Sequence, residues 1–224
     1  MTPGVSGPAV YLDLDGTLVD TTYLHAYAWW RALDDAGETR PMAAIHPLIG
    51  MGSADLLPRL IGRQDEAIDS AHASHFQQLH PLVRPLPGAV QLLHRLAGAG
   101  AAVVIVTSAK KADLEALLQP LGPGAPLTDV VDGDDVASAK PAPDPFIRAL
   151  GRTGGDPGSG LAMGDSVWDI EAAARAGMPC IGVQTGGIAR HDLLAAGAVA
   201  VYRDLSELLG SWDASPLAPL LAMR

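Results

Sequence analysis

Two short segments carry most of the chemistry this chain can offer. In residues 11–20, YLDLDGTLVD, an apolar run ends in two carboxylates, Asp13 and Asp15, separated by one residue and followed at once by Gly16. In residues 163–170, MGDSVWDI, Asp165 and Asp169 follow a second apolar run. Open α/β sheets bind ligands at the carboxyl ends of their strands, so aspartates at such tips stand where a site is expected. Strand geometry sends Asp13 and Asp15 to one side while Leu12 and Leu14 enter the core, and Gly16 lets a ligand approach the backbone closely. If a helix begins near Ser166, Asp165 and Asp169 lie on one side of its first turn, where carboxylates also complement the helix dipole. Singly, each pair could be turn or N-cap aspartates. Together they supply hard oxygen ligands suited to Mg²⁺, and four like charges at close range either raise a pKa or recruit a cation.

An anionic substrate approaching such a cluster needs positive charge and donors. Lys140, in SAKPAPDPF, is one of only three lysines, and Pro141 and Pro143 stiffen its loop. Its ammonium could neutralise a phosphate, although a loop lysine is also an ordinary solvated group. Thr107 and Ser108 close the apolar run VVIV; their hydroxyl and backbone donors suit either a phosphate oxygen or a helix N-cap. Four separate apolar runs thus end, in order, in Asp/Asp, Thr/Ser, Lys and Asp/Asp.

The elements that must position these groups follow from the pattern. Short apolar strands are predicted at 9–14, 102–107, 129–132, 161–164, 180–184 and 198–202, alternating with helices at 89–96, 112–118, 145–150, 170–176 and 189–195. This predicts a parallel, Rossmann-like α/β sheet covered on both faces. Asp144 is expected to cap the helix that follows it, and Gly151, Gly177 and Gly197 to end theirs. Residues 20–86 read as helix instead, at 21–36, at a short helix capped by Ser53 and ending near Gly62, and at 64–79, with Pro58 weakening the middle one. The run 40–52 is expected to be irregular and the tail 211–224 loosely docked. The predicted organisation is an α/β core formed by 1–19 and 87–224, with 20–86 as an inserted helical cap.

Composition narrows the class. The 224 residues carry a net charge of −10, which argues against nucleic acid or an anionic membrane surface as partner. With 48% hydrophobic and 18% charged residues, the chain is too apolar for disorder. One cysteine, no zinc-type Cys/His spacing, no signal-peptide pattern and no apolar stretch near the ~20 residues of a membrane span predict a soluble, cytoplasmic protein, monomeric or homodimeric.

The ordered constellation resembles the haloacid dehalogenase superfamily. DLDGT at 13–17 looks like its first motif, Thr107 its second, Lys140 its third and GDSVWD at 164–169 its fourth, with a helical cap of the C1 type between the first and second. The resemblance implies an Asp13 nucleophile forming an aspartyl-phosphate, Asp15 as general acid and base, and Mg²⁺ held by Asp13, the Asp15 carbonyl, Asp165 and Asp169. It assigns phosphate binding to Gly16, Thr107, Ser108 and Lys140. Asp15 speaks against a metal-free dehalogenase, and a cap without lysine against a phosphonatase. DTTYLHAYAW at 20–29 is similar to the corresponding segment of β-phosphoglucomutase, whereas Gly164, where the mutase pattern has glutamate, points to phosphoglycolate phosphatase and its relatives.

The expected activity is Mg²⁺-dependent hydrolysis of a small phosphomonoester, phosphoglycolate-like or sugar-phosphate-like. The alternatives are a phosphomutase and, more remotely, a non-catalytic phosphate-binding regulator. His25 and Trp29 share a helix face and could wall the substrate pocket or pack the cap. Gly52 and Ser53, in IGMGS, resemble a substrate-specificity loop, and Arg59 and Arg63 could reach an anionic tail.

Overall fold

The computed structural model describes residues 7–222; residues 1–6 and 223–224, which fall in the predicted core segments and tail, lie outside the described residues. Six strands, β1 (Ala9–Leu12), β2 (Ala102–Val106), β3 (Asp129–Val131), β4 (Gly160–Gly164), β5 (Cys180–Val183) and β6 (Ala200–Tyr202), form one sheet. The order is β3-β2-β1-β4-β5-β6 and every neighbouring pair is parallel. Order reverses beside β1, whose neighbours are β2 and β4, and this switch point is where such sheets open a crevice. Leu12 aligns with both Ile105 and Met163, so the three central tips end level. The strands stop one or two residues before several predicted ends. Asp13, Leu14 and Thr107 therefore lie past the ladders, in the loops at the crevice.

Alternation along the strands builds two cores. Val10, Leu12, Val103, Ile105, Leu161 and Met163 face one side; Ala9, Tyr11, Ala102, Val104, Val106 and Ala162 face the other. Helices α5 (Ala89–Gly98), α10 (Leu205–Gly210) and α11 (Leu217–Ala222) contribute to the first, and α7 (Asp144–Thr153), α8 (Val167–Arg175) and α9 (Arg190–Ala195) to the second. Each fully buried aliphatic side chain contributes about 1.5–3 kcal/mol. The Tyr11 hydroxyl, buried in the second core, meets Thr153 Oγ1 at 2.9 Å. The tail is not loose: Leu217 and Leu221 enter the first core.

Between β1 and β2 lie α1 (Thr22–Asp35), α2 (Met42–Ile45), α3 (Ser53–Ile61) and α4 (Glu66–Leu79). They enclose their own apolar cluster, including Trp29, Leu33, Ile45, Leu56, Leu57 and Ile68. The run expected to be irregular thus contains α2 and a 3-10 turn, His46–Leu48. Ser53 is the first residue of α3 rather than its cap; Gly52 holds that position without a side-chain bond. Pro58 does not break α3, because the Ala54 carbonyl that Pro58 cannot serve accepts from Gln64 Nε2. Asp65 caps α4 through the Ala67 and Ile68 amides. In the core, α7 starts at Asp144, with Pro143 in the cap position, and ends at Gly154 rather than Gly151, Gly154 supplying φ +67°.

The two crossings between sheet and insertion run side by side. Asp20 donates to the Arg84 carbonyl and Leu86 to that of Leu18, each at 2.9 Å, while Ala28, Phe76 and Val83 pack into the first core. Helices α6 (Leu114–Leu118) and the preceding 3-10 turn Lys111–Asp113 complete the β2–β3 connection. Among the described residues, no helix is long and apolar enough to cross a membrane.

Candidate active site

The floor of the crevice is an ion network at the strand tips. Asp13 follows β1, its amide donating to the Met163 carbonyl at 2.9 Å. Lys140 reaches it from the loop before α7 and is only 1% exposed. Its ammonium donates to Asp13 Oδ1 at 2.6 Å and to the Val106 carbonyl at 2.7 Å, and pairs with Asp169 Oδ1 at 2.7 Å. Two hydrogen bonds and one ion pair thus hold the ammonium in the floor. Burial opposes its charge, but Asp13 and Asp169 outweigh that cost and raise the Lys140 pKa.

Asp165 and Asp169 are placed by the turn from β4 into α8. Ser166 caps α8 and Asp169 answers in a capping box: Ser166 Oγ donates to Asp169 Oδ2 at 2.5 Å and the Ser166 amide to the same oxygen at 3.2 Å. Asp165 Oδ1 accepts from Thr17 Oγ1 at 3.1 Å. A Cβ at Gly16 would lie 2.4 Å from Asp165 Oδ2, and Gly16 has φ +78°, so glycine is required there on both counts. A Cβ at Gly164 would lie 2.3 Å from Asp169 Cγ, so any side chain at 164 would displace that carboxylate.

Asp13, Asp165 and Asp169 present oxygens within 4.8 Å of one another, all buried. Burial raises the Asp13 pKa to about 7, with Asp169 and Asp15 adding to the shift and Lys140 opposing it. Asp165 is pushed well above the usual carboxylate range by burial and then by Asp13 and Asp169. Three crowded, buried carboxylates are a donor set completed by a hard divalent cation.

Asp15 sits differently. Its Oδ1 accepts from Thr21 Oγ1 at 2.7 Å and meets His25 Nε2 at 3.2 Å, and Oδ2 lies 3.3 Å from Thr107 Oγ1. Burial works to raise its pKa, but His25, by charge and hydrogen bond, and Thr21 lower it on balance. His25 Nδ1 in turn lies 3.3 Å from His72 Nε2 on α4. His25 stacks on Phe76 at 3.7 Å and His72 on Trp29 at 3.9 Å. Burial, then the charge of His25, holds the His72 pKa well below its ordinary value. The sequence reading missed His72; the available signal was its spacing, four residues before Phe76 on one helix face.

A cavity of about 240 Å³ joins these groups to the insertion, lined by Asp13, Asp15, His25 and Trp29 and, among others, by Gly52, Ser53 and Ser108. Two of the expected phosphate donors are otherwise engaged. Ser108 Oγ donates to the Gly50 carbonyl at 3.1 Å, and the Gly16 amide donates to the Val19 carbonyl at 2.8 Å. Thr107 Oγ1 also accepts from the Ala109 amide at 3.0 Å. Neither expected arginine lines the cavity: Arg59 lies over the Trp168 ring at 4.9 Å, and Arg63 bridges Glu38 and Asp65. Trp168, for which the sequence offers no role, donates to the Pro47 carbonyl at 3.0 Å, and His46 Nε2 meets the Gly186 carbonyl at 2.7 Å. Together with Ser108, these contacts hold the insertion against the sheet.

The comparisons with known proteins agree with this architecture. A family model described as haloacid dehalogenase-like hydrolase matches residues 8–177. The phosphoglycolate phosphatase of Rhodospirillum rubrum is 34% identical over 223 residues, covering 93% of this chain and 91% of that protein. Among solved structures, a hydrolase from Pseudomonas syringae is 33% identical with a TM-score of 0.87, covering 92% of this chain and 98% of that one. β-Phosphoglucomutase from Clostridium difficile reaches a TM-score of 0.81 at 19% identity, over 96% of this chain and 97% of that one, a likeness of fold.

Proposed function

Because the chain belongs to the haloacid dehalogenase-like hydrolases, we propose that it is a Mg²⁺-dependent phosphatase that hydrolyses a small phosphomonoester through a phosphorylated Asp13. The observation that carries this reading is the triple engagement of Lys140 with Asp13, Asp169 and the Val106 carbonyl beside the three-carboxylate cluster. Residues 1–19 and 87–224 act as catalytic core and 20–86 as cap in this reading.

Asp13 attacks phosphorus as the bond to the leaving alcohol oxygen breaks, and Asp15 gives that oxygen its proton. Asp15 then takes a proton from the water that attacks the phosphorylated Asp13, releasing phosphate and restoring the carboxylate. His25 holds Asp15 in its basic form in the present geometry, which is the form the second step uses. The first step instead requires Asp15 to carry the proton that the leaving alcohol oxygen receives. Lys140 and Thr107 face the phosphoryl oxygens, and the helical cap excludes bulk water. Asp13, the Asp15 carbonyl and Asp165 would hold Mg²⁺, with Asp169 reaching it directly or through water; the ion, when bound, neutralises phosphoryl charge.

A phosphomutase reading shares the fold and the His25/Trp29 pair. The crowding at Gly164 tells against it, since the glutamate of the mutase pattern has no room there. The test is phosphate release from a panel including p-nitrophenyl phosphate, phosphoglycolate and hexose phosphates, with Mg²⁺ or EDTA. Asp13→Asn is expected to lose activity by at least ~10³-fold, and EDTA to abolish it. Interconversion of hexose phosphates without phosphate release would move the reading to a mutase, and silence on every ester to a binding role.

A further inference from the structure

We propose that Asp69 and Lys110 are specificity residues which, paired across the cavity wall, admit the phosphate ester of an uncharged, hydroxylated alcohol and exclude one whose alcohol carries a second anionic group. The inference rests on the phosphatase reading and narrows its substrate. It starts from the charges on the wall. Among the described residues, three carboxylates beyond Asp13 and Asp15 line the cavity, Asp69, Asp113 and Asp134, against one lysine, Lys110, and no arginine. Lys110 Nζ lies 2.8 Å from Asp69 Oδ2, so its charge is already offset by that carboxylate although two of its N–H groups can still donate. Lys140 is held in the floor by Asp13, Asp169 and the Val106 carbonyl, and both nearby arginines are held outside.

The two histidines on the wall do not reverse this balance. His25 is held by Asp15, and His72, buried between His25 and Trp29, is kept neutral by its surroundings. Asp113 faces His80 at 3.2 Å, and Asp134 accepts from the Lys111 amide at 3.0 Å. One feature favours an anion: the N-terminus of α3, uncapped by any side chain, brings Ser53 and Ala54 to the cavity. Asp55 in the same first turn already places a negative charge there. A carboxylate or second phosphate on the leaving alcohol would therefore meet an excess of negative charge whose one lysine is already paired with Asp69, and like-charge juxtaposition is a strong element of discrimination.

The rest of the wall suits a polyol. Ile49, Met51, Leu56 and Val136 line it and offer an apolar surface to the C–H face of a ring. The Asp69–Lys110 pair both accepts and donates hydrogen bonds while adding no net charge, which matches hydroxyl groups. Its two members come from different elements, Asp69 from α4 and Lys110 from the loop after β2, so the pair is complete only when the insertion lies against the sheet.

The test uses the full chain with Mg²⁺ and p-nitrophenyl phosphate as reference; no release from that ester would refute the phosphatase reading itself, separately from this inference. With the reference active, kcat/KM is compared for phosphoglycolate, glycerol phosphate, sorbitol phosphate, inositol monophosphate and a hexose bisphosphate. The best uncharged polyol ester is expected to exceed phosphoglycolate and the bisphosphate by about tenfold or more. Asp69→Lys is expected to raise the phosphoglycolate-to-polyol ratio by about tenfold, and Asp69→Asn to raise it less. Turnover of p-nitrophenyl phosphate by each variant verifies its fold. Preference of the unaltered enzyme for phosphoglycolate, an unmoved ratio in Asp69→Lys, or selective loss of phosphoglycolate turnover in Lys110→Ala would each overturn the proposal, the last by making Lys110 a carboxylate anchor.

Discussion

Asp13 and Asp15 are two residues apart at the same crevice, the first buried and the second partly so, yet their surroundings push their acidities in opposite directions. Every partner of Asp13 belongs to the sheet and its loops: Lys140, Asp165 and Asp169. The partners of Asp15 include His25 from the insertion, backed by His72 and Phe76. Burial dominates at Asp13 and raises its pKa to about 7, whereas at Asp15 the same burial is outweighed by His25 and Thr21. The floor of the site is thus set by the core alone, while the acidity of Asp15 depends on a residue of the insertion. Under the proposed mechanism, a nucleophile that must always be in place and an acid–base group that must change state have different kinds of support.

This contrast can be broken from the floor upward. Lys140→Met should have the largest effect, because it leaves Asp13 and Asp169 buried without their counter-ion. A loss of about 3–5 kcal/mol, seen as a Tm lower by roughly 10 °C and partly restored by Mg²⁺, is expected. A variant with unchanged Tm would show that the floor does not depend on the lysine. Asp15→Asn should fold normally and lower kcat by about 10²–10⁴-fold, separating chemistry from support.

The insertion side is tested by smaller changes. His25→Asn removes the group that lowers the Asp15 pKa, so Asp15 titrates higher and the acidic limb of the kcat profile moves to higher pH. About tenfold loss of kcat near neutrality should accompany it, with little change in stability; a profile that does not move would sever Asp15 from the insertion. His72→Phe keeps the stacking surface on Trp29 and removes Nε2. A fall in kcat of about threefold with KM held is expected, and an unchanged kcat would confine His72 to packing.

What could be read in the sequence follows the same division. Asp13 and Asp165 stand at the ends of apolar runs, where residue type and position together betray a strand tip, with Asp169 four residues on and Lys140 set off by the prolines after it, so these groups were legible. The network that ties Lys140 to Val106 and Asp169 was not, because it joins segments far apart in the chain. On the insertion side, His72 lies in a helix whose exposed and buried polar residues look alike, and only the fold shows that it faces His25. Ser53 misled for a local reason: a serine before an apolar run is the usual cap, yet here Gly52 presses against Ala139, where a Cβ would come within 2.5 Å, and takes that position. Pro58 misled in the opposite sense, because the side chain that satisfies Ala54 lies beyond the end of the helix.

Three of the contacts that hold the insertion over the sheet share a property with consequences for which positions can vary. His46, Trp168 and Ser108 all address backbone carbonyls, those of Gly186, Pro47 and Gly50. Two of these acceptors are glycines without room for a side chain: a Cβ at Gly186 would lie 1.7 Å from Asp165 Oδ2, and Gly50 has φ +97°. Cavity-facing residues away from these glycines can therefore be replaced without loosening the seam that shuts the chamber. The Asp69–Lys110 pair is the exception, since it lines the cavity and also bridges insertion and sheet.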